Sequence, residues 1–257
     1  MAEQETINKP KDLIEATPEE LQKLEQAMPE VYKSREERAK EEEKRKLESW
    51  VPKTHLGKMV RAGKIKHIDE VLSHDKKILE SEIVDLLLNL EFDLLLIGQA
   101  KGKFGGGKRR AWRQTQKKTM EGNVVTFASM AVVGDKKGHV GVGYGRSKET
   151  LPARAKAVRQ AKLGLTKITR GFESIEHSGN EPHTVPFIVE GKCGSVRIKL
   201  IPAPRGTGLV VGDQVKKILR LAGIHDVYGV TSGQTRTTFN VAKACMDALI
   251  KTNQMEL

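Results

Sequence analysis

Val124-Val125-Thr126-Phe127-Ala128-Ser129-Met130-Ala131-Val132-Val133 is followed by Gly134-Asp135-Lys136-Lys137-Gly138 and then by His139-Val140-Gly141-Val142. The first run is rich in β-branched and apolar residues, the middle is a cluster of turn formers, and the last resumes the apolar pattern. That order predicts a β-hairpin or meander. Downstream, Ser147 or Thr150 starts a helix that runs to about Gly164. At about 100° per residue, Ala153, Ala157, Val158, Ala161 and Leu165 share one face, while Lys156, Arg159 and Lys162 share another. A face of such small residues can lie close on a sheet.

The same reading works outward in both directions. Thr184–Val189 and Ser195–Ile201 flank Glu190-Gly191-Lys192-Cys193-Gly194, a second hairpin signal. Asp213 caps a helix with Val215, Ile218, Leu219 and Ala222 inward and Gly223 at its end. Asp226–Thr231 reads as a strand and Phe239–Leu249 as a final helix. Upstream, Thr54 caps a short helix closed by Gly63, Ile83–Leu88 adds a buried turn or two, and Leu94–Ile97 is a strand. The class is α+β, with two small domains joined near Arg170–Glu181. The boundaries fall at 1–48 for a charged extension, helical or partly disordered, 49–100 for a helical lead-in, 101–170 for the first domain and 171–257 for the second. Arg35–Glu48 is helical by propensity but has almost no apolar stripe to bury.

Charge limits the partners. The chain of 257 residues has 45 basic and 33 acidic side chains, a net +12. Residues 1–50 hold ten basic and fourteen acidic groups, so residues 51–257 carry the real excess, +16. That suits a polyanion, either nucleic acid or an anionic membrane surface. It is densest at Lys101, Lys103, Lys108, Arg109, Arg110, Arg113, Lys117 and Lys118, with no acid between Asp93 and Glu121 and a flexible Gly105-Gly106-Gly107 among them. No apolar run approaches the roughly 18 residues of a membrane span. Met1–Thr6 lacks the features of a secretion signal. The two cysteines, Cys193 and Cys245, have no CxxC spacing, which fits a reducing interior and a cytoplasmic protein.

Several segments admit two readings. The basic face of the 150–164 helix is either a solvated face or a phosphate-binding one, and the neighbouring basic run favours phosphate. Gly141-Val142-Gly143-Tyr144-Gly145 joins a strand to a helix but departs from G-x-G-x-x-G and lacks the later acid of a dinucleotide fold. It reads as backbone compacted for a polyanion, with Tyr144 and Arg146 as contacts, or as a plain turn. Pro202-Ala203-Pro204-Arg205-Gly206-Thr207-Gly208 lacks the Gly-Lys-Ser/Thr ending of a P-loop. It is either a rigid turn presenting Arg205 to phosphate or structural punctuation. His177 and His183 have only acids nearby and make a weak metal pair. No HExxH or GxSxG occurs. Neither a cofactor nor a metal is expected, and the chain is expected not to be an enzyme.

The stretch Phe127–Gly145 with Ser147-Lys148-Glu149 and the Ala-rich helix closely resembles the N-terminal domain of universal small-subunit ribosomal protein five, in its archaeal and eukaryotic branch. Gly191-Lys192-Cys193-Gly194-Ser195-Val196-Arg197 with Leu200–Gly208 matches the same family independently. So does Leu221-Ala222-Gly223-Ile224-His225-Asp226-Val227 with Gly233-Gln234-Thr235-Arg236-Thr237. Trp50-Val51-Pro52, Leu56-Gly57-Lys58, Glu82–Asp85 and Glu181-Pro182-His183 resemble that branch. Together the matches span about residues 50–252.

The resemblance implies a double-stranded-RNA-binding-like domain followed by a second small α/β-sandwich domain. It implies a structural constituent of the small subunit that binds 16S rRNA near the decoding centre and the mRNA entrance channel and contributes to translational accuracy. It also implies contacts with mRNA and with small-subunit proteins four, three and eight, and no small-molecule substrate. The first hairpin's tip, about Lys117–Asn123, is expected to approach the rRNA, although its bases sit further upstream than the family pattern. RNA contacts are thus expected from Lys101, Lys103, Lys108, Arg109, Arg110, Arg113, Lys117, Lys118, Asn123, Lys136, Lys137, Tyr144, Arg146, Lys148, Lys156, Arg159, Lys162, Arg170, His183, Arg205 and Arg236. Two alternatives are a free RNA-binding regulator of the same fold and a phosphotransferase built on the second domain. The latter lacks a catalytic carboxylate and Lys arrangement around Arg205.

Overall fold

The structure, a computed structural model, describes residues 41, 45, 47–73, 77–99, 109–172 and 181–254. The expectations for residues 1–40, for Lys101, Lys103 and Lys108, and for the segment 173–180 lie outside them. Met1–Val51 is a unit of its own, in which residues 41, 45, 47 and 48 are helical.

Pro52–Leu257 forms the second unit. Its elements run α1 (His55–Arg61), α2 (Ile68–Ser73), α3 (Ser81–Leu87), β1 (Glu91–Leu94), β2 (Trp112–Thr119), β3 (Gly122–Gly134), β4 (His139–Ser147), α4 (Thr150–Leu163) and β5 (Leu165–Lys167). Then come β6 (Val189–Cys193), β7 (Val196–Pro202), β8 (Leu209–Val210), α5 (Asp213–Ala222), β9 (Val227–Ser232) and α6 (Thr238–Lys251). The class is α+β, with an antiparallel first sheet and a mixed second one. The first sheet has the order β1-β3-β4-β5, and β2 pairs with the half of β3 that β1 leaves free. The second has the order β6-β7-β9-β8, with only β8–β9 parallel.

The predicted hairpin forms as β3–β4, closed by the 134–138 turn. Asp135 Oδ1 accepts the amides of Lys137 and His139 at 2.7 and 3.0 Å, and Lys136 takes φ 60°. β4 continues to Ser147, so Gly141-Val142-Gly143-Tyr144-Gly145 is a strand and not a loop. Its three glycines alternate onto one face, where α4 lies with Ala153, Ala157 and Ala161 fully buried. A Cβ at Gly143 would approach the backbone of Ala157 and Ala161 closer than 3.0 Å. The glycines therefore serve helix–sheet packing, and the reading of their backbone as compacted for a polyanion is corrected; Tyr144 and Arg146 lie on the other face of the strand.

The opposite face of the first sheet carries Met130, Val132 and Val140 into one buried cluster with Val196, Ile198 and Leu200, α5 residues Val215, Ile218 and Leu219, and α6 residues Val241, Cys245 and Leu249. The turn joins in, since the Lys136 amide donates to Leu221 O at 2.9 Å. α5 ends as expected, with Gly223 at φ 79° and Ile224 N returning to Leu219 O at 3.0 Å. Its N-cap is Gly212, one residue before the expected Asp213.

Three other boundaries differ from expectation. The first strand is β1, Glu91–Leu94, not Leu94–Ile97. Leu95 N still donates to Met130 O of β3 at 2.9 Å, and the chain then leaves the sheet, with Leu96 N donating to Gln214 Oε1 and Thr238 Oγ1 to Leu96 O. The strand expected at Thr184–Val189 is reduced to a single bridge between Thr184 and Gly171, because Pro186 has no amide to donate. The next strand starts at Val189 and absorbs the expected turn, which tightens to Gly194-Ser195 with Gly194 at φ 61°.

Candidate nucleic-acid interface

β2 projects with the start of β3 beyond the buried cluster, and both of its faces are exposed except at Trp112 and Thr115. Register places Thr119 opposite Gly122, so Met120 and Glu121 make a two-residue tip. Residues paired directly across an antiparallel ladder share a face. One face of this ribbon is thus built in rows: Arg113–Ala128–Arg146, Thr115–Thr126 and Lys117–Val124. The strand spacing sets Arg113 and Arg146 roughly 10 Å apart at the backbone. The other face, on the side of α4, carries Trp112, Gln114, Gln116 and Lys118 on β2, with Asn123 opposite Lys118.

The cations of the first face have no competing acid. Among the described residues, Arg113, Lys117 and Arg146 form no ion pair, and all three are exposed. Arg146 is held by the sheet itself, donating from Nε and Nη2 to Thr126 Oγ1 at 3.2 and 2.9 Å. Thr126 Oγ1 in turn lies 2.8 Å from Thr115 Oγ1. Arg109 donates to Arg236 O and Thr238 Oγ1 at 3.4 and 3.3 Å, which ties the start of the basic segment to α6. Such a surface offers fixed donors to a phosphate backbone.

Arg110, Lys118, Asn123, Lys137, Lys148, Lys156, Arg159, Arg205 and Arg236 are also exposed. Lys156 and Arg159 lie on the solvent side of α4. Arg205 tips a loop whose Gly206 and Gly208 amides donate to the buried Asp226 Oδ1 at 3.1 and 2.7 Å. Those amides are occupied, so this loop cradles its own carboxylate and not a phosphate; only the Arg205 side chain is presented.

Five expected contacts are otherwise engaged. His183 is 8% exposed, with its carbonyl accepting from the His225 and Asp226 amides, so its ring is not at the surface. Lys162 pairs with Asp85 at 2.6 Å in a half-buried site, which neutralises it. Arg170 donates to Gly223 O at 3.3 Å, bracing the end of α5. Lys136 is paired with Glu91, and the Tyr144 ring meets Phe239 edge-on at a 5.3 Å centroid distance.

Sequence reasoning missed three features. Arg154 stacks over Trp112 at 5.2 Å, a cation–π contact that clamps β2 against α4. The Thr115–Thr126 pair was legible only once Arg113-Gln114-Thr115-Gln116-Lys117 is read with a period of two. The third is a charge relay of structural kind: His139 Nδ1 lies 2.6 Å from Asp135 and Nε2 2.9 Å from Asp69, which also meets Lys167 at 3.2 Å. The Asp135 and Asp69 hydrogen bonds hold the His139 imidazolium above its ordinary pKa. Burial is the largest influence on Asp135 and pushes its pKa up, but the His139 side-chain bond and the His139 and Lys137 amides together outweigh it, and both carboxyls lie below their usual range. The network fastens the hairpin turn to α2. Among the described residues, no cluster of His, Cys, Asp or Glu could hold a metal, and no helix is long and apolar enough to cross a membrane.

Two family models match this architecture segment by segment. Ribosomal protein S5, N-terminal domain, covers residues 111–169, and ribosomal protein S5, C-terminal domain, covers residues 191–257. The small ribosomal subunit protein uS5 of Nanoarchaeum equitans is 49% identical over 212 residues, 82% of this chain and 91% of that protein. The chain belongs to the ribosomal protein S5 family. The uS5 proteins of Pyrobaculum calidifontis and Methanospirillum hungatei are 45% and 46% identical, covering 82% and 81% of this chain and 98% and 95% of those proteins. The S5 family is structural and the chain is not an enzyme. The two matched segments coincide with the β2–β5 sheet with α4 and with most of the second sheet and its helices.

Proposed function

We propose that this chain is a structural constituent of the small ribosomal subunit and holds rRNA on the ribbon face of Arg113, Lys117 and Arg146. The observation that carries the reading is that face: three exposed cations that form no ion pair among the described residues, Arg113 and Lys117 on a hairpin that extends past the buried cluster and Arg146 at the end of the adjoining β4. A hairpin that buries almost nothing of its own gains its order from a partner, and the partner fitting this charge is a phosphate backbone. Arg110, Lys118, Asn123, Lys156, Arg159, Arg205 and Arg236 extend the contact surface. The domain division at about residue 170, the segment Lys101–Lys108 as added charge, and location in the cytoplasm within the small subunit belong to the same proposal. So do nearby mRNA, neighbouring proteins four, three and eight, and an influence on decoding accuracy.

Binding to a small-subunit rRNA transcript should weaken with salt, with a log–log slope near −0.9 per neutralised duplex phosphate. Replacing Arg113, Lys117 and Arg146 together by Ala should flatten that slope by up to about 3 units. An unchanged slope would show that this face does not meet RNA. Sedimentation separates the ribosomal reading from that of a free RNA-binding regulator: the chain should co-migrate with small subunits, and its absence from that peak refutes the assignment.

A further inference from the structure

We infer that Thr126 is a positioning residue for RNA binding, acting through Arg146 and ordered in its turn by Thr115. The inference rests on the proposed rRNA-binding role of the ribbon face.

The hydrogen-bond count decides the direction of the network. Thr126 Oγ1 accepts two N–H groups from Arg146, from Nε at 3.2 Å and Nη2 at 2.9 Å. A hydroxyl oxygen has two lone pairs and one proton. With both lone pairs used, Thr126 must donate its proton; of the two acceptors in reach, Thr115 Oγ1 at 2.8 Å and Thr115 O at 3.4 Å, the hydroxyl is much the nearer and takes it. Thr115 then donates its own proton to Thr126 O at 3.4 Å. The pair thus closes a small ring across the β2–β3 ladder, in which each hydroxyl fixes the other and the guanidinium is the terminal donor.

The consequence lies in which edge of Arg146 remains available. The Nε–Nη2 edge is turned onto Thr126. The end carrying both Nη1 protons and the second Nη2 proton has no partner among the described residues, and two parallel N–H groups there form the fork that takes a phosphate oxygen pair. A free arginine must give up much of its rotamer freedom to present that fork, whereas here the sheet holds it beforehand. Arg113 and Lys117 have no such side-chain support among the described residues. Arg146 is therefore the ordered cation of the face, and its order comes from two threonines that bear no charge.

Fluorescence anisotropy with the full-length chain and a small-subunit rRNA transcript tests this, using Thr126→Val, Thr126→Ser, Arg146→Ala and the Thr126→Val/Arg146→Ala double variant. Val keeps the β-branched shape and removes only the hydroxyl. Thr126→Val should weaken binding about three- to tenfold, the range of one lost hydrogen bond. Thr126→Ser should stay within about twofold of the unmodified chain, and in the Arg146→Ala background Thr126→Val should add less than about twofold. Thr115→Val, which removes the acceptor of the Thr126 proton, should act in the same direction and also lose its effect without Arg146. This second variant serves where Thr126→Val does not fold, as monitored by its melting transition. Equal losses from Thr126→Val with and without Arg146, or no loss at all, overturn the inference. If the unmodified chain binds without salt dependence, the proposed rRNA-binding role fails instead, and the two failures are distinguishable.

Discussion

Adding one methyl group to Gly143 tests the glycine–alanine packing that joins β4 to α4. The added Cβ would lie closer than 3.0 Å to Ala161 N, Ala157 O and Gln160 C, all backbone atoms of a 14-residue helix. No side-chain rotation relieves a clash with backbone, so α4 must lift from the sheet by roughly 1 Å. A gap of 0.5–1 Å forfeits about a quarter to a half of each dispersion contact, and the losses accumulate beneath Ala153, Ala157 and Ala161. Overpacking of this kind costs about 1–3 kcal/mol. At roughly 2–4 °C per kcal/mol for a unit of this size, Gly143→Ala should lower the melting temperature by about 2–12 °C in calorimetry. Gly164→Ala is the control, because its Cβ would meet Gln160 O at an ordinary 3.5 Å and its φ is −97°. It should melt within about 2 °C of the unmodified protein. A Gly143→Ala protein that melts with the control would refute the packing role and reopen the reading of the glycines as a site for a ligand.

Two further perturbations address the buried polar groups. Because the His139 pKa is raised by Asp135 and Asp69, its contribution to stability is complete below the unfolded value of 6.5 and is lost as pH rises through the folded one. The melting difference between the unmodified chain and His139→Asn should therefore be largest near pH 5–6 and shrink towards pH 9. A difference that grows with pH would contradict the network. Below pH 4 the contribution fades again as Asp69 and Asp135, whose values are lowered from 3.8, take up protons. Asp226→Ala leaves the Gly206 and Gly208 amides without their carboxylate acceptor, at a cost of about 0.5–1.5 kcal/mol for each hydrogen bond lost, since neither glycine is buried. Calorimetry should show a drop of several degrees, and amide exchange at Gly206 and Gly208 should accelerate; unchanged exchange would refute the role of Asp226.

What was legible in the sequence follows from where burial enforces a pattern. α5 could be read nearly to the residue because Val215, Ile218, Leu219 and Ala222 must all reach the core and Gly223 must turn left-handed to end the helix. The β3–β4 hairpin could be read because Gly134–Gly138 separates two runs that are buried next to the turn, Ala128–Val133 and His139–Gly141. β2 could not. Arg113, Gln114, Gln116, Lys117 and Lys118 are exposed on both sides of the strand, so no apolar alternation marks it, and its charge reads as a loop. The interface therefore lies in the element whose secondary structure the sequence conceals. A strand that serves a polyanion on its surface is released from the hydrophobic pattern by which strands are recognised.

The same tension explains why the glycine segment invited the wrong partner. Gly141, Gly143 and Gly145 mark a close backbone approach, and a sequence cannot distinguish a phosphate from a helix as the approaching group. The discriminating pattern was present 8 to 20 residues downstream of the glycines. Ala153, Ala157 and Ala161 recur every four residues, so a row of small residues on a helix faces a row of missing side chains on a strand. Two complementary rows of this kind satisfy each other and leave no cavity for a ligand. Among the described residues the cations without an acid partner include Arg113 and Lys117 on β2 and Arg146 at the end of β4, with Lys118, Lys156 and Arg159 on the α4 side. Acids account for Lys136 and Lys162, and backbone carbonyls account for Arg170 and Arg109. Subtracting the cations that the fold consumes removes Lys136, Lys162, Arg170 and Arg109, and of the exposed cations left among the described residues Arg113, Lys117 and Arg146 share one face of the sheet. The placement of charge, and not its amount, is what directs the proposed RNA contact to that face.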